Sequence, residues 1–125
     1  MRIRARQWDV RCAATRALGG WLPDREVFSS LVGALNDGDI AVQIAAAEQL
    51  VRFGGKEGLE AVLTELGRRV DDPDADYIAY RLRELELFDQ LPILESAQEF
   101  GSELSEDGRV GRMQLKELLG GSAST

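Results

Sequence analysis

The sequence predicts an all-α protein, built as a right-handed superhelical solenoid of antiparallel helix pairs. A nine-residue pattern, apolar at its first position and ending in leucine, recurs four times. Its copies start 32, 35 and 33 residues apart, counting from Val10 to Val42 to Tyr77 to Val110. No segment sustains the period-two alternation of a strand. A near-constant period of this size indicates stacked repeats rather than one globular core.

Each copy is predicted to be a B-type helix, and each segment between copies an A-type helix with apolar residues at three- and four-residue steps. The B-type helices are expected near 4–19, 40–53, 75–88 and 108–119, and the A-type helices near 24–36, 57–70 and 91–104. Together they form one domain over residues 1–119. Residues 120–125, rich in glycine and serine, are expected to be a disordered tail.

The predicted helix boundaries follow from capping residues. Asp24, after Pro23, is a candidate N-cap for the first A-type helix, and Asp39 for the next B-type helix. Gly54 and Gly55 end that helix, because glycine accepts the left-handed conformation of a C-cap. The turn 71–74 repeats the turn 36–39 one period later.

The third A-type segment is less regular. Pro92 fits only the first turn of a helix, and Gly101 weakens its end.

Apolar and small residues share one face of the first two copies. This predicted core face comprises positions 10, 13, 14, 17 and 18 of the first copy and 42, 45, 46, 49 and 50 of the second. Alanines at its centre allow neighbouring helices to approach closely. The first helix has no upstream neighbour, so we expect Arg2, Arg4, Arg6 and Arg11 to cap its edge, or this edge to self-associate.

Residues 31–37, followed by 42–50, resemble a HEAT repeat, of the short bacterial kind also found in phycobilin lyase-like proteins. Val10-Arg11-Cys12-Ala13-Ala14 matches the opening of that family's B helix. Because the repeat length is nearly constant, the resemblance is expected to extend over about residues 4–119. It implies a scaffold that binds peptides or proteins.

The chain also departs from the family pattern. The arginine after the first residue of the repeat is present as Arg11 but is replaced by Gln43, Ile78 and Gly111. The inter-repeat Asp–Arg ladder of the family is therefore expected to be mostly absent. No catalytic motif is matched, so the resemblance implies no lyase activity.

Composition excludes several classes of function. The 125 residues include no histidine and one cysteine, which removes Ser-His-Asp and Cys-His catalysis and the usual zinc ligand sets. The net charge of −7 argues against nucleic acid. Segments 103–110 and 72–76 faintly resemble calcium loops, but each falls where the repeat needs a turn. We expect a non-catalytic cytoplasmic protein without a cofactor, metal or membrane segment.

In a HEAT-like stack the B helices line the concave face, so the residues opposite the predicted core are candidates for partner binding. Two rows across the copies are apolar or small, and the third has a net charge of +2. This pattern suits an acidic segment of a protein partner. The alternative is that the apolar members pack against adjacent repeats. The predicted partner-binding residues are Arg16, Ile44, Glu48, Leu82, Arg83, Arg112 and Lys116.

Two function classes follow. The favoured one is a protein-binding scaffold or adaptor, and the second is a HEAT-like protein associated with nucleic acid or with an enzyme. A broad positive groove would favour the second.

Overall fold

The computed structural model describes residues 7–120, and side chains as far as residue 119. That part of the chain contains helices and turns and no strand, which confirms the predicted all-α solenoid class. The helices are α1 (Trp8–Leu18, continued by a 3-10 turn Gly19–Trp21), α2 (Arg25–Ala34), α3 (Ile40–Phe53), α4 (Gly55–Arg68), α5 (Ala75–Phe88), α6 (Ile93–Gln98) and α7 (Glu106–Gly120). None of these helices is long and apolar enough to cross a bilayer.

Aspartates start two of the helices as the sequence predicts. The Asp24 carboxylate accepts a hydrogen bond from the backbone N–H of Val27 at 3.0 Å, and the Asp39 carboxylate accepts one from Ala41 at 2.8 Å. Each bond satisfies an N–H group that the first turn of a helix otherwise leaves without a partner. At the first residue of α4, Gly55 takes a φ of 62°, a conformation that glycine adopts without steric cost.

The core is centred on α3, which contacts α1, α2, α4 and α5. Its small and branched residues are fully buried, because helices surround them. The fully buried residues of α3 are Val42, Ala45, Ala46, Ala47 and Leu50.

In α1 the predicted core face is wrong except at Leu18. Cys12, Thr15 and Leu18 are buried, whereas the positions equivalent to the core of α3 are exposed. In α3 the equivalent residues face α1 and the 3-10 turn that follows it. Gly19 of that turn, for example, lies against the side chain of Gln49. Since the described part of the chain places no helix on the corresponding side of α1, this face is open. Its exposed members are Val10, Ala13, Ala14 and Ala17. Of the four arginines expected to cap this edge, Arg2, Arg4 and Arg6 lie outside the described residues, and Arg11 binds Asp37.

The last helix does not continue the row of B-type helices, which corrects its predicted place. Helix α7 packs chiefly along α4, and touches α5 less extensively. Two glycines explain this choice: a Cβ at Gly67 would overlap the carbonyl oxygen of Asp107, and a Cβ at Gly111 would overlap that of Leu63. The two backbones therefore meet directly, which glycine alone permits.

Helix α6 has only six residues, Ile93–Gln98, where the sequence suggested a helix over 91–104. Its N-cap is Pro92, and Gly101 beyond its end has a φ of 56°. Proline and the left-handed glycine thus confine the helix from both sides. Gly120, assigned to the expected tail, ends α7, and residues 121–125 lie outside the described part of the chain.

Candidate protein-binding surface

Helix α5 lies in a different rotational register from the one read from the sequence. That register aligned Tyr77 with Val42, but Tyr77 is exposed. The buried positions of α5 match those of α3 when the third copy begins at Ala75, two residues earlier. A shift of two residues turns a helix by about 200°. The buried residues in question are Ala75, Ile78, Ala79 and Leu82, equivalent to 42, 45, 46 and 49.

This register brings Arg81, not Arg83, next to Glu48 of α3. The Arg81 guanidinium donates to Oε1 of Glu48, with the closest nitrogen 2.9 Å away. Arg83 lies about 200° away around the helix. We define the B-helix strip as the outward-facing residues of α1, α3 and α5 in this register: Arg16, Ile44, Glu48, Tyr77 and Arg81.

A chain of ion pairs runs across the strip between α3 and α5. Glu48 accepts hydrogen bonds from Arg52 at 3.0 Å and from Arg81. Arg52 also binds Asp89, and Arg81 binds Glu84 at 3.1 Å. The Glu48 side chain is only 14% exposed, so this carboxylate is held in place by its two arginine partners.

The two arginines of this ion-pair network, Arg52 and Arg81, have raised pKa values. The hydrogen bond from Arg52 to Glu48 raises the pKa of Arg52 above its ordinary value. Burial by itself would lower the pKa of Arg81, but hydrogen bonds to Glu84 and Glu48 outweigh it and raise that pKa. Because two guanidinium groups face three carboxylates, the centre of the strip does not carry the positive charge that an acidic segment needs.

The structure separates the seven residues predicted to bind a partner. Arg16 is exposed on α1, and Ile44 and Glu48 are half-buried on α3. Leu82 is fully buried in the hydrophobic core, which corrects its assignment to the surface.

The three remaining cations do not join the strip. Arg83 is exposed on another side of α5. Arg112 donates to the carbonyl of Ala97, at 3.3 Å, and so lies on the α6 side of α7. Lys116 follows one turn later on the same side. The predicted basic row is therefore not assembled, because α7 lies along α4.

Exposed aromatic residues of α5 are the part of this surface that the sequence reading missed. Tyr77 and Tyr80 are 52% and 50% exposed, and their rings meet edge to face at 6.4 Å. Phe88, at the end of the helix, is 76% exposed. The sequence did contain a signal for this exposure. Where the second copy of the pattern has Ala45 and Ala46, the third copy, aligned from Tyr77, has Tyr80 and Arg81. Side chains of that size fit solvent better than a close contact between helices.

Two arginines, Arg11 of α1 and Arg69 after the end of α4, make contacts between neighbouring repeats. Arg11 binds Asp37 through two hydrogen bonds of 3.0 and 3.1 Å, which raise the pKa of Arg11. Gln43 stands where the next ladder arginine would be, and donates to the carbonyl of Asp37 at 2.6 Å. Arg69, after α4, donates to Gln43 at 3.0 Å and to the carbonyl of Leu35 at 3.1 Å. An arginine of the repeat pattern thus supplies the Arg11–Asp37 pair, and the next contact between repeats is made by Arg69, which lies outside the pattern.

The acidic turns act as helix starts in this structure. Asp72 accepts the backbone N–H of Asp74 at 2.9 Å, and Ser105 accepts that of Gly108 at 3.1 Å. Within the described residues, no group of three or more Asp, Glu or Cys side chains is placed to hold a metal ion.

Comparison with known proteins agrees with the repeat architecture. The family model of HEAT repeats matches residues 2–86, more than half of the chain. The match ends within α5, before the two helices whose packing departs from a regular stack. No curated protein and no solved structure matches the chain. The matched region contains the first three copies of the pattern, and the chain accordingly belongs to the family of HEAT-repeat proteins.

Proposed function

We propose that this chain is a non-catalytic protein-binding scaffold, and that its partner contacts the B-helix strip and the exposed aromatic residues beside it. HEAT repeats commonly serve as scaffolds for protein interactions. Stacked repeats produce extended concave surfaces, which the B-type helices are expected to line in this family.

The observation that carries the proposal is the set of large residues exposed on α5. Tyr77, Tyr80 and Phe88 are each at least half exposed, and Arg81 lies between them. Tyrosine and arginine are enriched among the residues that dominate binding energies, because each offers a large contact area with a hydrogen-bonding end. The Tyr77–Tyr80 ring contact and the ion pairs of Arg81 already restrict these side chains. Less side-chain conformational entropy is therefore lost when a partner binds.

The charge of the strip defines how the partner is recognised. Arg52 and Arg81 are already paired with carboxylates, so the strip has little net positive charge to attract an acidic segment. Apolar contact at Ile44 and Tyr77 is then the main source of affinity, with Arg16 as an exposed cation at the α1 end. This predicts an association that depends only weakly on salt.

Site-specific photo-crosslinking tests the proposal. A photoreactive phenylalanine derivative replaces Tyr77 in the full chain, and in a control chain it replaces Ser29, which is exposed on α2. After irradiation in the cells of origin, we expect a defined protein adduct from position 77 and none from position 29. Adding Ile44→Ala should weaken that adduct, because Ile44 supplies part of the apolar contact. Equal adducts at both positions, or none at position 77, would contradict the strip as the binding surface.

A further inference from the structure

An apolar groove lies between the beginning of α4 and α6, away from the B-helix strip. It has a volume of about 370 Å³. Leu59, Ile93 and Phe100 are buried beneath it, and Val51 and Leu91 form partly exposed walls. A concavity of this size accepts one or two apolar side chains.

The groove follows from the shortness of α6. A full-length A-type helix would lie along the first turns of α4, but Pro92 and Gly101 restrict α6 to six residues. The rest of α4 is covered by α7 instead. The apolar side chains at the junction of α3 and α4 consequently face an opening rather than a neighbouring helix.

The rim of the groove is acidic. Glu99 lines the groove and is exposed. Glu95, also exposed, lies one helical turn before it on α6, and the exposed Glu103 is held beside the groove by an ion pair with Lys56. Lys56 is the cation among the residues lining the groove. Its ammonium group lies 3.4 Å from Glu103 and 5.3 Å from the centre of the Phe100 ring. Because Lys56 is already paired with Glu103, Glu99 and the adjacent Glu95 leave this side of the groove negative, in keeping with the net charge of −7 of the chain.

We propose that this groove binds a short protein segment with a leucine or aromatic anchor flanked by basic residues. The anchor side chain enters the space above Leu59 and Ile93. Basic residues on either side pair with Glu95 and Glu99, which face solvent and are therefore accessible to a partner. The complementary charge sets the orientation of the segment and favours it over acidic competitors, while the buried anchor supplies most of the affinity.

Fluorescence anisotropy with synthetic peptides tests this proposal on the full chain. One peptide series has the anchors leucine, phenylalanine or tryptophan between arginines, and a matched series has glutamates in place of the arginines. We expect at least one basic peptide to bind about tenfold more tightly than its acidic counterpart, with the difference shrinking as salt is added. Amide resonances of Leu59, Ile93 and Phe100 should shift on binding.

Two kinds of variant separate the apolar and the charged contributions. Ser96→Trp fills the groove and should weaken the basic peptide about tenfold or more, and Glu95→Lys with Glu99→Lys should weaken it severalfold. Glu117→Lys, exposed on α7, is the charge control and should leave the affinity unchanged. The double charge variant lies on the surface and keeps the test valid if Ser96→Trp unfolds.

Three results would overturn the proposal. These are equal affinity for both peptide series, a Glu117→Lys effect as large as that of the double variant, and the absence of binding by every anchor. Loss of the photo-crosslink at position 77 would leave these outcomes untouched, because the two surfaces share no residue.

Discussion

The close contact of α4 with α7 predicts opposite effects of the same substitution at two helical glycines. Gly111 of α7 lies against the backbone of Leu63, and an added Cβ would overlap its carbonyl oxygen. Gly33 of α2 has open space around its Cβ position. Replacing each glycine by alanine therefore separates helix propensity, which both variants gain, from packing, which only Gly111→Ala disturbs.

The expected magnitudes follow from these two contributions. Alanine in place of glycine stabilises a helix by about 0.5–1 kcal/mol, so Gly33→Ala should raise the free energy of unfolding by roughly that amount. At Gly111 the helices must move apart, and overpacking of this kind costs about 1–3 kcal/mol or more. The Leu63 contact is with rigid backbone rather than with a flexible side chain. We therefore expect Gly111→Ala to be destabilising by about 1–2 kcal/mol after the gain in propensity.

Urea denaturation followed by far-ultraviolet circular dichroism measures both variants. An unchanged slope with a lower midpoint for Gly111→Ala would indicate a loss of stability within one cooperative unit. Gly67→Ala, on the facing side of the contact, should behave in the same way because its Cβ would meet Asp107. If Gly111→Ala proved as stabilising as Gly33→Ala, the reasoning that places α7 directly on α4 would be refuted.

Three further predictions concern the ladder, the acidic turn and the buried thiol. Arg69→Met should cost about 2–3 kcal/mol, because hydrogen bonds to Gln43 and to the carbonyl of Leu35 are lost together, and Arg69→Lys should restore only part of this in the same urea titration. The backbone N–H of Asp74 and then the guanidinium of Arg69 lower the pKa of Asp72, so its contribution is present above the unfolded value and is lost as pH falls through the lower folded value. Asp72→Asn should therefore flatten the loss of stability below about pH 4, and an identical pH profile would count against this bond. Cys12 is 5% exposed, so a thiol reagent should modify it only as fast as α1 opens, and rapid labelling of the native chain would contradict the docking of α1 on α3.

Local signals in the sequence were sufficient to locate most helices. Asp24 and Asp39 cap the helices that they were predicted to start, because a carboxylate near the first N–H groups acts through neighbours in the chain. Pro92 and Gly101 likewise indicated an irregular segment, which in the structure contains the short helix α6. The repeat spacing predicted stacked helix pairs, since stacked units keep nearly one length, and the resemblance of residues 31–37 and 42–50 to a HEAT repeat agrees with the family match.

The face that each helix buries was harder to predict. In α5 the pattern fits a copy that starts at Tyr77 and ends in Leu85, whereas the buried residues follow a copy that starts at Ala75 and ends at the exposed Arg83. The two alignments differ by about 200° of rotation. The choice decides whether Arg81 or Arg83 lies beside Glu48, and it moves Leu82 from the expected surface into the core.

Helix positions and the repeated arrangement of this chain could be predicted from its residues, because capping and helical periodicity depend on positions close together in the chain. The surface that these helices present depends instead on contacts between distant segments. Gly67 and Gly111 draw α7 onto α4, which divides the predicted basic row and leaves Tyr77 and Tyr80 exposed. In the sequence alone, the same glycines indicate only a lower helix propensity at positions 67 and 111. Their role is fixed by the backbone that approaches them from a segment more than 40 residues away (67 to 111), and a local pattern carries no information about that approach.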